Sequence, residues 1–146
     1  MKVVILIHLL LASIALAISP EAECLCELGE QEIKNENWTL AISYFSNAID
    51  MEPDYALAFY HRAVTRSNLG QNIAAIADLD RVIELVPEWA GGYYWRGRLH
   101  FWLANYEEAI PDLTRVIELG SGNSETQSML LEAQSHIESA STGGKR

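Results

Sequence analysis

"DLDRVIEL" occupies Asp78–Leu85, and "DLTRVIEL" occupies Asp112–Leu119. The two octets differ at one place, Asp80 against Thr114, and lie 34 residues apart. A phrase that recurs at this distance marks an internal repeat, so the chain is read first as copies of one unit. Residues 22–55, 56–89 and 90–123 can be set in register with Ala22, Ala56 and Ala90 as position 1. Position 4 then reads Leu25, Phe59, Tyr93, and position 8 reads Gly29, Ala63, Gly97. Position 20 reads Ala41, Ala75, Ala109, and position 21 is Ile42, Ile76, Ile110. Position 24 reads Phe45, Leu79, Leu113, position 27 reads Ala48, Val82, Val116, and position 28 is Ile49, Ile83, Ile117. Position 32 reads Pro53, Pro87, Ser121.

Apolar residues at 20, 21, 24, 27 and 28 follow the spacing of one helix face. Small residues at 8 and 20 let two helices approach closely. Polar breaks (Glu36-Asn37, Gly70-Gln71-Asn72, Ala104-Asn105) split each unit into two helices. Proline at 32 ends the second helix. One helix pair cannot bury its apolar face, but stacked pairs can.

These columns resemble the tetratricopeptide repeat (TPR) family, over residues 22–123. The resemblance implies an all-α fold: three TPR helix-turn-helix repeats forming a short right-handed α-solenoid. Helices are expected near 22–35, 38–52, 56–69, 72–85, 90–103, 106–119 and 124–138. The stretch 124–139 has Met129, Leu130, Ala133 and Ile137 on one side and reads as a C-terminal capping helix. Residues 140–146, without an apolar anchor, are expected to be disordered. Some columns depart from the family pattern. Position 11, usually aromatic, holds Glu32, Arg66 and His100. Position 7, usually Leu, keeps Leu28 but has Arg62 and Arg96. Pro111 falls inside the sixth helix, where it predicts a kink rather than a break if Asn105 and Glu108 form a capping box.

Ahead of the repeats stands "MKVVILIHLLLASIALAIS". Lys2, an apolar run and Ala15-Leu16-Ala17 read as a signal peptide over residues 1–17, with a retained membrane anchor over residues 3–18 as the alternative. The run is shorter than the roughly 20 residues of a membrane span. The expected location is secreted, periplasmic or otherwise extracytoplasmic. The TPR domain is then 18–139.

The chain has 146 residues, 49% apolar and 21% charged, which fits a folded domain rather than a disordered chain. Its net charge of −10 repels phosphate backbones, arguing against nucleic acid and for neutral to basic partners. Export would place Cys24 and Cys26 in an oxidising compartment. Two residues apart on a helix they point to nearly opposite sides, so the simplest reading is two free thiols. A disulfide between them would require an unwound turn, and an intermolecular bridge stays open. Asn37-Trp38-Thr39 is a glycosylation sequon at an inter-helix turn, relevant if the source is eukaryotic.

No catalytic motif, phosphate loop or metal-ligand spacing is present in the sequence, and no cofactor is expected. His61 and His100 stand alone on first helices. Glu23, Glu27 and Glu30 share one helix face, read first as a solvated acidic face, and otherwise as a cation or basic-partner site. Seven of the thirteen aromatic residues fall between Trp89 and Tyr106, which points to a local surface use as well as packing. The resemblance implies a concave groove lined by positions 2, 5, 9, 12 and 13 of the first helices. The peptide-binding candidates are therefore Tyr60, Tyr94, Arg98, Phe101 and Trp102 at those positions, with Trp89 at the junction of repeats two and three. Family members that bind heat-shock-protein carboxylates use basic and amide residues at places held here by Cys26, Glu30, His61, Gly91 and Trp95, and none matches. The expected function is a non-enzymatic interaction module, with an oligomerising subunit of a membrane-associated complex as the alternative.

Overall fold

The computed structural model describes residues 18–143; the proposed leader, residues 1–17, lies outside them. Within them are seven helices and no strand. They are α1 (Pro20–Lys34), α2 (Trp38–Met51), α3 (Ala56–Asn68), α4 (Asn72–Leu85), α5 (Ala90–Trp102), α6 (Tyr106–Glu118) and α7 (Ser124–Gly143). Helix α1 begins two residues before the repeat register suggests. Ser19 is its N-cap, accepting from the Ala22 N–H, and Pro20 supplies a first turn that needs no donor.

Each helix packs on its neighbour in sequence, and the first helices α1, α3, α5 also touch one another and α7. The second helices α2, α4 and α6 make no backbone approach to each other. The array is therefore splayed on the second-helix side and closed on the first-helix side, which makes the latter concave. The repeat columns form the core. Phe45, Leu79 and Leu113 are fully buried, as are Ala41, Ala75 and Ala109. Columns 8 and 24 face each other. A methyl added at Gly29 would lie 2.5 Å from the Phe45 ring, whereas Ala63 clusters with the smaller Leu79.

The polar breaks are one turn used repeatedly. After α1 the Asn37 N–H donates to the Glu32 carbonyl at 2.8 Å and the Glu36 N–H to Ile33 at 3.0 Å. The same pair of bonds closes α3, α5 and α6. This Schellman geometry needs a left-handed residue past the helix end. Glu36, Gly70, Ala104 and Gly120 fill that place, with φ of 61°, 71°, 59° and 73°. Gly120 explains why repeat three needs no proline at position 32. Asn105 is the N-cap of α6 but its side chain makes no cap bond, so the expected capping box does not form. Helix α6 continues through Pro111.

The cap helix corrects the expected disordered tail over 140–143; residues 144–146 lie outside the described residues. Helix α7 runs on to Gly143 rather than ending near 139. The Ser141 and Thr142 hydroxyls donate to the Glu138 carbonyl, a local bond that suits a helical turn. Met129 and Ala133 are buried against the array, while Leu131 on the outer side is exposed.

Candidate functional site

The departures from the family pattern at positions 7 and 11 have a structural cause. Arg62 donates through Nε and Nη2 to Asp78 at 3.0 and 2.7 Å, and through Nη1 to the Ser46 hydroxyl. Arg66 reaches the same carboxylate at 2.7 Å. One repeat on, Arg96 grips Asp112 at 2.8 and 2.7 Å and reaches back to Asp80 at 2.6 Å. Asp78 and Asp112 are both buried. The Asp112 carboxylate beside Arg96, ahead of the opposing effect of burial, holds that guanidinium above its usual range. Arg81 and Arg115 complete the pattern by bridging back 27 residues to Asp54 and Glu88. The opening aspartates of the two octets are thus halves of structural ion pairs, and a forked Arg–carboxylate pair fixes geometry well.

On the concave side, three of the six candidates come together. Tyr60 on α3, Trp89 at the N-cap of α5 and Tyr94 on α5 line one cavity of about 460 Å³. Trp95, not among the candidates, is the fourth ring. Tyr60 and Trp89 have ring centres 4.6 Å apart. Trp95 donates its indole N–H to the Tyr60 hydroxyl at 2.9 Å and stands edge-on to Tyr94 at 6.0 Å. Each ring is thereby held by another. Its signal in the sequence was position 6, one of the places where carboxylate-binding relatives touch their ligand.

Arg98 and Trp102 form a second group beside the cavity. The Arg98 guanidinium lies 4.1 Å from the Trp102 ring centre and 4.9 Å from that of Trp95. It pairs with Glu125 of α7 at 3.8 Å, while Tyr94 donates its hydroxyl to the same carboxylate at 2.9 Å. Burial first, and then this bond, push the Tyr94 phenol up. Trp102 is 57% exposed, a large ring left in water. Phe101 turns away from this surface. It packs edge-on to Tyr106 and against the Ala109, Leu113 and Met129 cluster under the cap.

The remaining sequence candidates are placed apart. Glu30 and His61 pair at 3.1 Å, and His61 also stacks on Phe45. Burial pushes the His61 pKa down, against the pull of Glu30. Cys24 is exposed and Cys26 buried, both free thiols on an unbroken helix. Burial raises the Cys26 thiol to about 11, against a hydrogen bond with Tyr55. Asn37 is exposed, its amide donating to Glu32 at 2.6 Å. Among the described residues no group of three or more acidic, His or Cys side chains could hold a metal, and no helix is long and apolar enough to cross a membrane.

Residues 90–119 match the family model described as Tetratricopeptide repeat. Solved structures extend the likeness to the whole array. The first TPR of Spaghetti (RPAP3), bound to the HSP90 peptide SRMEEVD, is 27% identical and superposes with a TM-score of 0.78, covering 82% of this chain and 95% of that one. The Sgt2 TPR domain from Aspergillus fumigatus is 23% identical, with a TM-score of 0.77 over 89% of this chain and 87% of its own. MamA from Desulfovibrio magneticus RS-1 is 20% identical, with a TM-score of 0.79 over 87% and 72%. The last two speak for the fold alone. No curated protein matches the chain. The fold is a TPR-like helical solenoid.

Proposed function

We propose that this solenoid is a non-enzymatic protein-interaction module that holds a peptide segment of a partner protein on its concave face. The observation that carries the reading is the cavity walled by Tyr60, Trp89, Tyr94 and Trp95. Tyr and Trp give large contact area at low entropic cost and dominate binding hot spots. The Spaghetti domain, with a peptide bound, supports the reading by its similarity. An acidic C-terminal tail like SRMEEVD does not suit this chain. At the corresponding places Cys26 is buried, Glu30 carries negative charge and Trp95 is a cavity wall. The partner is neutral to basic and binds with little loss in salt, because ring stacking is screened weakly.

The apolar segment 1–17 supports an extracytoplasmic setting for this work, with a retained anchor over residues 3–18 as the alternative. N-terminal sequencing of the mature protein tests that placement: a start at Met1 refutes cleavage. The binding test is crosslinking and capture from the native compartment, wild type beside Trp89→Ala/Tyr94→Ala. A partner recovered by the wild type and lost by a still-helical variant supports the groove. Equal recovery by both refutes it, and recovery of the chain itself alone, with a concentration-dependent size, favours the oligomerising alternative.

A further inference from the structure

We propose that the four-ring cavity is a cation site that receives the ammonium group of a lysine side chain, free or N-methylated, from the bound partner. The inference rests on the groove reading above and names its recognition element. Rings present negative faces, and several rings around one space make a site for an ammonium group, strongest when the group is desolvated. Here Trp89, Tyr60, Trp95 and Tyr94 are linked in that order by ring contact or hydrogen bond around one volume. That volume is ample for a lysine tip.

The charges agree with this occupant. Glu88 lies in the cavity wall, and no Lys, Arg or His does. Arg98 lies 3.8 Å from Glu125, its buried Nε without a hydrogen-bond partner, and Arg115 pairs with Glu88 and Glu118. Two cations against three carboxylates leave one negative charge for a ligand to answer. The helix starts at α5 and α7 would by themselves prefer an anion. Each already has a carboxylate beside it, Glu88 one residue before the N-cap of α5 and Glu125 in the first turn of α7. An incoming anion would meet Glu88 in the cavity wall and the four rings beside it. The chain as a whole, at −10, adds attraction for a basic partner.

The test uses small probes with the mature chain, following tryptophan fluorescence and heat on titration. The probes are n-butylammonium, its N-trimethylated form, the neutral n-butanol and the anion butyrate. The expected result is that at least one cation binds about tenfold tighter than butanol, with butyrate weakest. The preference should fall about threefold in Glu88→Gln, while butanol binding is unchanged. Trp89→Ala should abolish it. The two cations separate the sources: tighter binding of the trimethylated form assigns the site to methylated lysine, and the reverse to free lysine. Butanol or butyrate binding as tightly as both cations, or no cation binding at all, overturns the inference. Partner capture that still depends on Trp89 and Tyr94 would in that case leave the groove reading standing.

Discussion

Asp78→Asn is expected to destabilise the solenoid by about 3 kcal/mol, at the lower end of what breaking a buried pair costs. The change keeps the side-chain shape but removes the charge that two guanidinium groups share. Arg62 and Asp78 side chains are 14% and 5% exposed, so neither is well served by water. After the change Arg62 keeps the Ser46 hydroxyl, and Arg66 keeps a 3.4 Å bond to the Ala74 carbonyl. Arg66, more exposed, can swing partly outward, which puts the value near 3 rather than 5. Asp112→Asn should cost less, about 1–2 kcal/mol, because Arg96 retains Asp80 at 2.6 Å. Asp54→Asn, at an exposed pair with Arg81, should stay within about 0.5 kcal/mol. The assay is urea and thermal unfolding followed by far-UV circular dichroism at pH 7. About 3 kcal/mol corresponds to a Tm drop on the order of 10 °C for a domain of this size. The reasoning is refuted if Asp78→Asn lies within about 1 kcal/mol of wild type, or if Asp112→Asn proves the more damaging.

Other variants probe the packing, the turns and the buried histidine. Gly29→Ala places a methyl 2.5 Å from the Phe45 ring and should cost about 1–2 kcal/mol, overpacking outweighing the helix propensity gained; Gly97→Ala, with its nearest atoms at 3.0 Å, should be closer to neutral in the same unfolding assay. Ala104→Gly relieves a left-handed residue at φ 59° and should raise stability by about 0.5–1 kcal/mol, seen as a higher urea midpoint. His61 has its pKa lowered from 6.5 by burial, so below that value the unfolded chain binds the proton more readily. Stability should therefore fall as pH drops from 7 through this window, His61→Gln should flatten that slope, and the His61 ring should titrate below 6.5 by NMR.

The period was legible because it is written in side-chain volume. A Gly at position 8 clears the Phe45 ring in repeat one, and Ala63 suffices beside the smaller Leu79 in repeat two, while repeat three keeps a Gly beside Leu113. The turns were legible in place but not in chemistry, since only Gly70 and Gly120 display the left-handed residue that Glu36 and Ala104 also adopt. The ion pairs were hidden for a different reason. Arg62 and Asp78 lie 16 residues apart, as do Arg96 and Asp112, and an apolar-face reading passes over charged letters. The spacing itself, an Arg sixteen before each octet's first Asp, was the available signal. At the cavity, Tyr60 and Tyr94 stand at the groove positions and Trp89 at the repeat junction. Trp95 stands at position 6, outside those positions, so groove spacing does not pick it out. Phe101 shares groove spacing with its neighbours, but the cap helix draws it inward, a long-range effect that no local spacing encodes.

The fate of the arginines ties the scaffold to the ligand. The described residues contain seven basic side chains, Lys34 and six arginines. Arg62, Arg66 and Arg96 are spent inside the helix pairs on Asp78 and Asp112. Arg81 and Arg115 staple one repeat to the next through Asp54 and Glu88. Arg98 is stacked on Trp102 and matched by Glu125. Repeat one has Leu28 and Tyr44 where the later repeats have their Arg and Asp, so the fold itself does not demand the pair. Its presence in repeats two and three removes the cations that an acidic peptide would need. Among charged and aromatic groups, the cavity itself is lined by ring surface and one carboxylate, Glu88. On the proposed reading, a TPR-like solenoid whose arginines are engaged internally would select a partner that brings its own positive charge.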